Sequence, residues 1–143
     1  MQIINKKANF QYKLENDRFE AGISLFGGEV KALRNGRGDI SQSYAKIING
    51  EIFLINANIP VSGAKLSPTR TRKLLLHKNE IISIQTKAKQ QKLTLIPLKL
   101  YTKGRLIKAQ LSLGKSKKKF EKRESIKKKD IERQIAQELR GKE

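Results

Sequence analysis

The C-terminal segment of this chain, residues 115–143, cannot contribute to a hydrophobic core. It holds almost no large apolar residue before Ile131, and its lysines and arginines come in runs. A core must therefore come from residues 1–114, where apolar and polar residues alternate as they do in β proteins. The sequence predicts one domain, the body (residues 1–114), followed by a basic tail (residues 115–143).

Both parts of the chain are cationic. The formal net charge is +19, of which the tail carries +6 and the body +13. A field of this sign attracts polyphosphate, and the attraction should weaken steeply with added salt. Charge alone indicates a nucleic-acid partner and nothing finer.

Several function classes lack support in the sequence. There is no cysteine, which excludes disulfides and thiolate metal sites, and His77 is the only histidine. We see no acidic cluster with ligand spacing and no glycine-rich phosphate loop. The N-terminus lacks the apolar core of a signal peptide, and no apolar run approaches the ~20 residues that span a bilayer. We expect a cytoplasmic protein without a membrane partner, catalytic residues, metal or cofactor.

The pattern of the body is that of a small barrel. Residues 18–25 alternate, so Phe19, Ala21 and Ile23 should share one face of a strand. Residues 44–57 read as a hairpin turning at Asn49-Gly50, and residues 93–102 and 105–114 as two further strands. Pro97 within a strand implies an edge or a bulge. We predict a mainly β, small closed antiparallel barrel of about six strands with two or three helices.

Two helices are predicted in the body and one in the tail. A short helix should occupy residues 27–36, with Glu29 in its first turn. A long helix is predicted from residue 69 to about residue 90, which makes residues 70–73 a cationic helix N-terminus suited to phosphate. In the tail, Ile131, Ile135 and Leu139 lie at helical spacing, but the stripe is thin. We expect the tail to be disordered when free and helical when bound.

Ordered runs of residues then carry a family resemblance. They are "NKKA" near the start, "FEAGISLFGGEVKALRNGR", "SY" with "NGEIFLINANI", "PTRTRKLLLHKNEI", "LTLIPLKLY" and "FEKRESIKKKD". Together they cover nearly the whole chain, and they resemble the SmpB family, whose members bind transfer-messenger RNA (tmRNA). The resemblance implies an oligonucleotide-binding-like six-stranded barrel that holds the tRNA-like domain of tmRNA on stalled ribosomes. It implies a tail that enters the empty mRNA channel near the decoding centre. Elongation factor Tu and alanyl-tRNA synthetase are implied as indirect partners through tmRNA.

The resemblance also implies site residues. Family positions used for tmRNA binding correspond to Asn5, Glu20, Leu75 and Lys108, and neighbouring cations join them as candidates: Lys6, Lys7, Arg70, Arg72 and Lys73. Candidate ribosome contacts in the tail are Lys117, Lys118, Glu121, Lys122, Arg123, Ile131 and Ile135.

The residue pattern supports only part of this set. Glu20 and Lys108 should face outward, where a carboxylate can accept hydrogen bonds from RNA and an ammonium can meet phosphate. A solvated Glu and a solvated Lys remain the alternatives, and pattern alone favours a core position for Leu75. Glu121, Ser116 and Phe10 depart from the family pattern.

Two rival functions remain open at this stage. A general RNA-binding or ribosomal barrel protein would share the charge and the tail. An enzyme acting on RNA would need carboxylates converging in a cleft, and the strand pattern places Glu20, Glu29 and Asp39 apart.

Overall fold

The computed structural model describes residues 1–61, 63 and 66–117. Within them the chain forms eight strands and three helices. In chain order these are β1 (Gln2–Ile4), α1 (Ala8–Gln11), β2 (Tyr12–Leu14), β3 (Phe19–Ile23), α2 (Gly27–Arg34), β4 (Tyr44–Ile48), β5 (Glu51–Ile55), β6 (Arg72–Leu75), α3 (Lys78–Gln91), β7 (Thr94–Lys103) and β8 (Leu106–Ser116).

Six of the strands close into an antiparallel barrel. The order around the ring is β7-β4-β5-β6-β3-β8, and β8 pairs back to β7. The pairing between β4 and β7 is the shortest of the ring, with the single pair of Ala45 opposite Leu95. Strands β1 and β2 lie outside the ring, paired with β7 and β8. The predicted closed barrel of about six strands is confirmed.

Local turn chemistry explains two junctions of the barrel. Asn49 and Gly50 have φ angles of 52° and 77°, as the predicted type I′ turn between β4 and β5 requires. The register of β7 against β8 shifts between Pro97 and Lys99, so of the two alternatives predicted from the proline, an edge or a bulge, the structure has an irregularity of the bulge type.

The barrel interior is filled by alternating residues of the long strands. Four alternate residues of β8 are buried, namely Ile107, Ala109, Leu111 and Leu113. Ser112 lies on the opposite, outward side of this strand and is nevertheless buried. Its hydroxyl lies 3.2 Å from the carbonyl oxygen of Glu15, because the segment between β2 and β3 covers this part of the outer surface.

The long helix predicted from residue 69 to about residue 90 is wrong over residues 69–77. Residues Arg72–Leu75 form β6, which pairs with both β3 and β5, and α3 begins only at Lys78. Leu74 is buried and its neighbour Leu75 is 54% exposed, which is the period of a strand. Three consecutive leucines fit either period, so the pattern concealed the change. The cationic run at residues 70–73 is therefore not a helix N-terminus.

Strand β8 extends two residues beyond Gly114, where the sequence placed the end of the body. Strand β8 continues to Ser116, where it pairs with Tyr12 of β2. The backbone nitrogen of Lys117 then donates to the carbonyl of Gln11. The sequence analysis did not predict β1, α1 or β2, which supply these partners. Among the described residues, no helix is both long and apolar enough to cross a bilayer.

Candidate nucleic-acid interface

The solvent-facing sides of β7, β8, β3 and β6 form one continuous surface, which we call the outer barrel face. Cross-strand pairing places four residues in a row across it. Tyr101 lies opposite Lys108, Lys108 opposite Gly22, and Gly22 opposite Leu75. The adjacent row contains Lys99, Gln110 and Glu20. Strand alternation thus brings together three residues that are distant in sequence, namely Glu20, Leu75 and Lys108.

Glu20 is an organised acceptor on this face. Its carboxylate accepts a short hydrogen bond from the Tyr101 hydroxyl and another from Lys103 Nζ at 3.1 Å, while 40% of its side chain stays exposed. The hydrogen bonds from Tyr101 and from Lys103 lower the pKa of Glu20. Burial and the facing carboxylate raise the pKa of Tyr101 to about 12. Near neutral pH, Glu20 is therefore ionised and Tyr101 donates to it.

An apolar pocket adjoins the acidic residue. It has a volume of about 270 Å³, and Leu75 and Leu106 at its mouth are 54% and 61% exposed. Lys108 and Arg105 also line it. Gly22 leaves space in this pocket, because a Cβ added there would lie only 3.3 Å from Leu75 Cβ. An apolar recess bordered by cations suits the base and phosphate of a nucleotide.

A second cluster lies at the start of α2. Glu29 has no solvent exposure, and it accepts hydrogen bonds from Arg70 Nη2 at 2.5 Å and from Arg72 Nε at 2.8 Å. The backbone nitrogen of Phe26 donates to the same carboxylate at 3.0 Å. Burial alone would raise the pKa of Glu29, but these donors, Arg70 foremost, outweigh it and lower the pKa. Glu29 is therefore much more than the first-turn acid that the sequence indicated.

The predicted cations of β6 and its approach have different environments. Arg72 is fully buried, and it also donates to the carbonyls of Ala57 and Pro68. Arg70 is partly exposed, with 24% of its side chain accessible. Lys73 is exposed and forms a 3.4 Å ion pair with Glu51. The structure leaves Arg70 and Lys73 accessible to RNA and encloses Arg72.

The predicted N-terminal residues Asn5, Lys6 and Lys7 follow β1, which is separated from the β3 strand of Glu20 by β7 and β8. Asn5 is 7% exposed, and its amide donates to the carbonyl of Pro97 at 3.0 Å and accepts from the backbone nitrogen of Lys7 at 3.2 Å. These bonds hold the N-terminal segment at the bulge of β7. Lys6 and Lys7 beside it are exposed.

The tail residues mostly lie outside the described part of the chain. This applies to Lys118, Glu121, Lys122, Arg123, Ile131 and Ile135. Lys117 is described, and its Nζ donates to the carbonyl of Asn9 at 2.7 Å. Across residues 1–61, 63 and 66–117, no group of three or more His, Cys, Asp or Glu side chains could hold a metal ion.

Two members of the interface escaped the sequence analysis. Tyr101 and Lys103 hold Glu20 and yet were not singled out. A signal was present, because Lys99, Tyr101 and Lys103 alternate with the buried Leu100 along one strand. A tyrosine between two outward lysines is a candidate for the RNA face of a strand.

Comparison with known proteins shows the family to which this chain belongs. The family model described as "SmpB protein" matches residues 2–141. The "SsrA-binding protein" of Burkholderia vietnamiensis is 48% identical over 147 aligned positions, covering 99% of each chain. That of Mesoplasma florum is 47% identical, covering 91% of this chain and 90% of the relative. A chain from the structure "tmRNA-SmpB: a journey to the center of the bacterial ribosome" superposes with a TM-score of 0.69 at 41% identity, covering 82% of this chain and 85% of that one. On these matches and on its barrel, the chain belongs to the SmpB protein family.

Proposed function

We propose that this chain is a tmRNA-binding protein that delivers tmRNA to stalled ribosomes for trans-translation. The relatives named SsrA-binding protein and the related chain of the tmRNA-SmpB structure support this proposal. The observation that carries it is the outer barrel face, where Glu20, Lys108 and Leu75 share one accessible surface. The body binds the tRNA-like domain, and elongation factor Tu and alanyl-tRNA synthetase meet the protein through tmRNA.

Each feature of the outer barrel face has a distinct task in this proposal. The ionised Glu20 accepts hydrogen bonds from base-edge amines or ribose hydroxyls. An ionised phosphate has no hydrogen to donate, so this contact distinguishes bases and riboses from the backbone. Lys108 and Arg105 pair with phosphates. The pocket at Leu75 and Leu106 receives the apolar surface of a base or ribose. The acid selects RNA features, while the cations supply most of the affinity.

Two of the candidate residues act indirectly in this scheme. Arg72 is enclosed, so its task is to hold the Glu29 carboxylate and thereby to place Arg70. The side-chain amide nitrogen and oxygen of Asn5 both form hydrogen bonds within the protein. Asn5 therefore positions Lys6 and Lys7, and these two lysines contact the RNA.

The tail has a separate task in the proposal. It enters the empty mRNA channel of the ribosome, where its cations follow phosphates and the stripe of Ile131, Ile135 and Leu139 becomes helical once covered. Ile135→Pro should then break the helix, and joint replacement of Lys122 and Arg123 by Glu should repel channel RNA. Both variants should bind free tmRNA normally and fail to support tagging of stalled chains in a reconstituted translation system.

A truncation tests the proposal directly. The chain ending at Lys117 keeps all of β8, so it should fold and bind tmRNA nearly as tightly as the full chain. Binding should be measured against an unrelated tRNA at several salt concentrations. Loss of the preference for tmRNA on truncation would contradict the assignment of specificity to the body.

The rival function is that of a general RNA-binding or ribosomal barrel protein. It predicts that the RNA copurified with the full chain is ribosomal RNA at ribosome stoichiometry. The proposed function predicts a single tmRNA species, and sequencing the copurified RNA separates the two.

A further inference from the structure

Phe26 is a large aromatic side chain held in place on a cationic surface while 55% exposed to solvent. One side of its ring is covered by the Arg70 guanidinium, whose central carbon lies 4.5 Å from the ring centroid. The outer barrel face described above does not include it. Single exposed apolar side chains are common on protein surfaces, so what distinguishes Phe26 is the set of contacts that hold it in place.

A connected set of three charged side chains holds Phe26 in place. Its backbone nitrogen donates to the Glu29 carboxylate, and Arg70 donates to the same oxygen atom. Glu29 is in turn fixed by the enclosed Arg72. One buried carboxylate therefore anchors both the backbone that carries the ring and the cation that covers it. Phe26 is the N-cap residue of α2, and the Glu29 carboxylate that accepts from its backbone nitrogen places a negative charge at this helix end, which disfavours a bound anion there.

The position of Phe26 relates it to the outer barrel face. Strand β3 carries Glu20 and Gly22 and then leads directly into α2, and the backbone nitrogen of Ser24 still donates to Lys73 of β6. Phe26 is six residues beyond Glu20. At about 3.3 Å per extended residue, the two lie at most about 20 Å apart, within reach of one bound RNA. An added Cβ at the adjacent Gly27 would meet no atom within 4 Å, so the chain is open there.

We propose that Phe26 is a stacking platform for an unpaired nucleobase of the RNA bound on the outer barrel face. Aromatic rings backed by arginine are well suited to bases, because every base presents a π-face and the neighbouring cation attracts the phosphates. The surrounding positive charge favours RNA over a protein partner of ordinary composition. This inference rests on the proposed function and adds a contact to it.

A tryptophan reporter tests the platform. The chain contains no tryptophan, so Phe26→Trp introduces a single tryptophan at the proposed contact, whose emission can be excited apart from that of the three tyrosines. Its emission should be quenched on titration with tmRNA. Inorganic polyphosphate is the matched control ligand, since it has the charge of RNA and no base, and it should bind without comparable quenching. Emission that responds equally to both ligands, or to neither, would overturn the proposal.

Affinity measurements on a substitution series provide the second readout. Phe26→Tyr and Phe26→Trp keep a ring and should bind tmRNA like the wild type. Phe26→Leu keeps apolar volume but no ring, and Phe26→Ala keeps neither. Both should bind roughly 5- to 150-fold more weakly, the range for a lost base–aromatic stack. Urea unfolding must show each variant folded under the binding conditions.

The outcomes separate this inference from the function on which it rests. A wild-type chain without preference for tmRNA would refute the proposed function. Tight wild-type binding that Phe26→Leu leaves unchanged would refute only the platform. If Phe26→Ala binds free tmRNA normally but reduces tagging on ribosomes, Phe26 contacts another partner and the stacking proposal is wrong.

Discussion

Replacing Glu29 by alanine should be among the most damaging single changes to this fold. The substitution removes the carboxylate that Arg70 and Arg72 share, and it also removes the acceptor for the Phe26 backbone nitrogen. Arg72 has no solvent exposure, so its guanidinium would remain buried without a counter-charge. Its other acceptors, the carbonyls of Ala57 and Pro68, are neutral and cannot offset the charge.

The size of the effect follows from the burial of the pair. Removing one partner of a buried ion pair costs about 3–5 kcal/mol, and an ordinary domain is stable by about 5–15 kcal/mol. With a urea dependence of about 2 kcal/mol per molar, the unfolding midpoint should fall by about 1.5–2.5 M. Far-UV circular dichroism is a suitable measurement, since the chain has no tryptophan to report on unfolding.

Glu51→Ala is the matched control. Glu51 also pairs with a cation, Lys73, but at 3.4 Å and with about half of each side chain exposed. Such surface pairs contribute about 0–1 kcal/mol, so this midpoint should shift by less than about 0.5 M. If Glu29→Ala unfolds within that same margin of the wild type, the buried carboxylate does not stabilise the fold as argued here.

The contribution of Glu29 to the stability of the wild type should also depend on pH. The folded pKa of Glu29 lies below its ordinary value of 4.5, so the unfolded state binds the proton more readily. The stabilising contribution of Glu29 is complete above the unfolded pKa and is lost as the pH falls through the folded pKa. The pH dependence of the urea midpoint below about pH 5 should therefore be shallower in Glu29→Ala than in the wild type.

Three further predictions concern the outer barrel face. Tyr101→Phe should lower the preference for tmRNA over an unrelated tRNA by about fivefold, the effect of one lost hydrogen bond, and unchanged discrimination in a competition assay would contradict the assignment of Tyr101 to positioning Glu20. Ultraviolet titration should show one of the three tyrosines ionising near pH 12, and Glu20→Gln should lower that pKa only partly, because burial is the larger cause. Gly22→Val should keep the barrel folded but weaken tmRNA binding by about tenfold, since the valine side chain would press on Leu75 and fill the apolar pocket beside it. Full affinity in a folded variant would show that RNA does not use this pocket.

The sequence predicted the barrel well because strand alternation is written plainly in the long strands. Residues 107–113 alternate without interruption, and a hairpin turn marked by Asn49-Gly50 needs no tertiary information. The failure at residues 69–77 has a physical reason. This stretch contains three consecutive leucines, Leu74 to Leu76, of which only Leu74 is fully buried. Because the exposed Leu75 is as apolar as the buried Leu74, the sequence shows no alternation of apolar and polar residues from which a strand could be predicted.

The candidate site could be predicted only in part, for a related reason. Outward positions such as Glu20 and Lys108 follow from alternation within one strand. Their meeting with Tyr101 and Lys103 depends on the register between β3, β8 and β7, which no local pattern records. The Glu29 cluster shows the same limit, because an acid in the first turn of a helix looks alike whether it is solvated or buried against two arginines.

The arrangement of acids on this cationic barrel separates affinity from selectivity. Phosphate contacts by lysine and arginine bind any RNA and weaken with salt, whereas a carboxylate repels phosphates and helps only where it accepts a hydrogen bond from a particular donor. Hydrogen bonds from Tyr101 and Lys103 accordingly keep Glu20 ionised on the surface. Glu29 is buried, and its charge is neutralised by Arg70 and Arg72. Raising the salt concentration should therefore reduce the affinity for tmRNA and for unrelated RNA together. The ratio of the two affinities should change little, since the Glu20 contact releases no counterions.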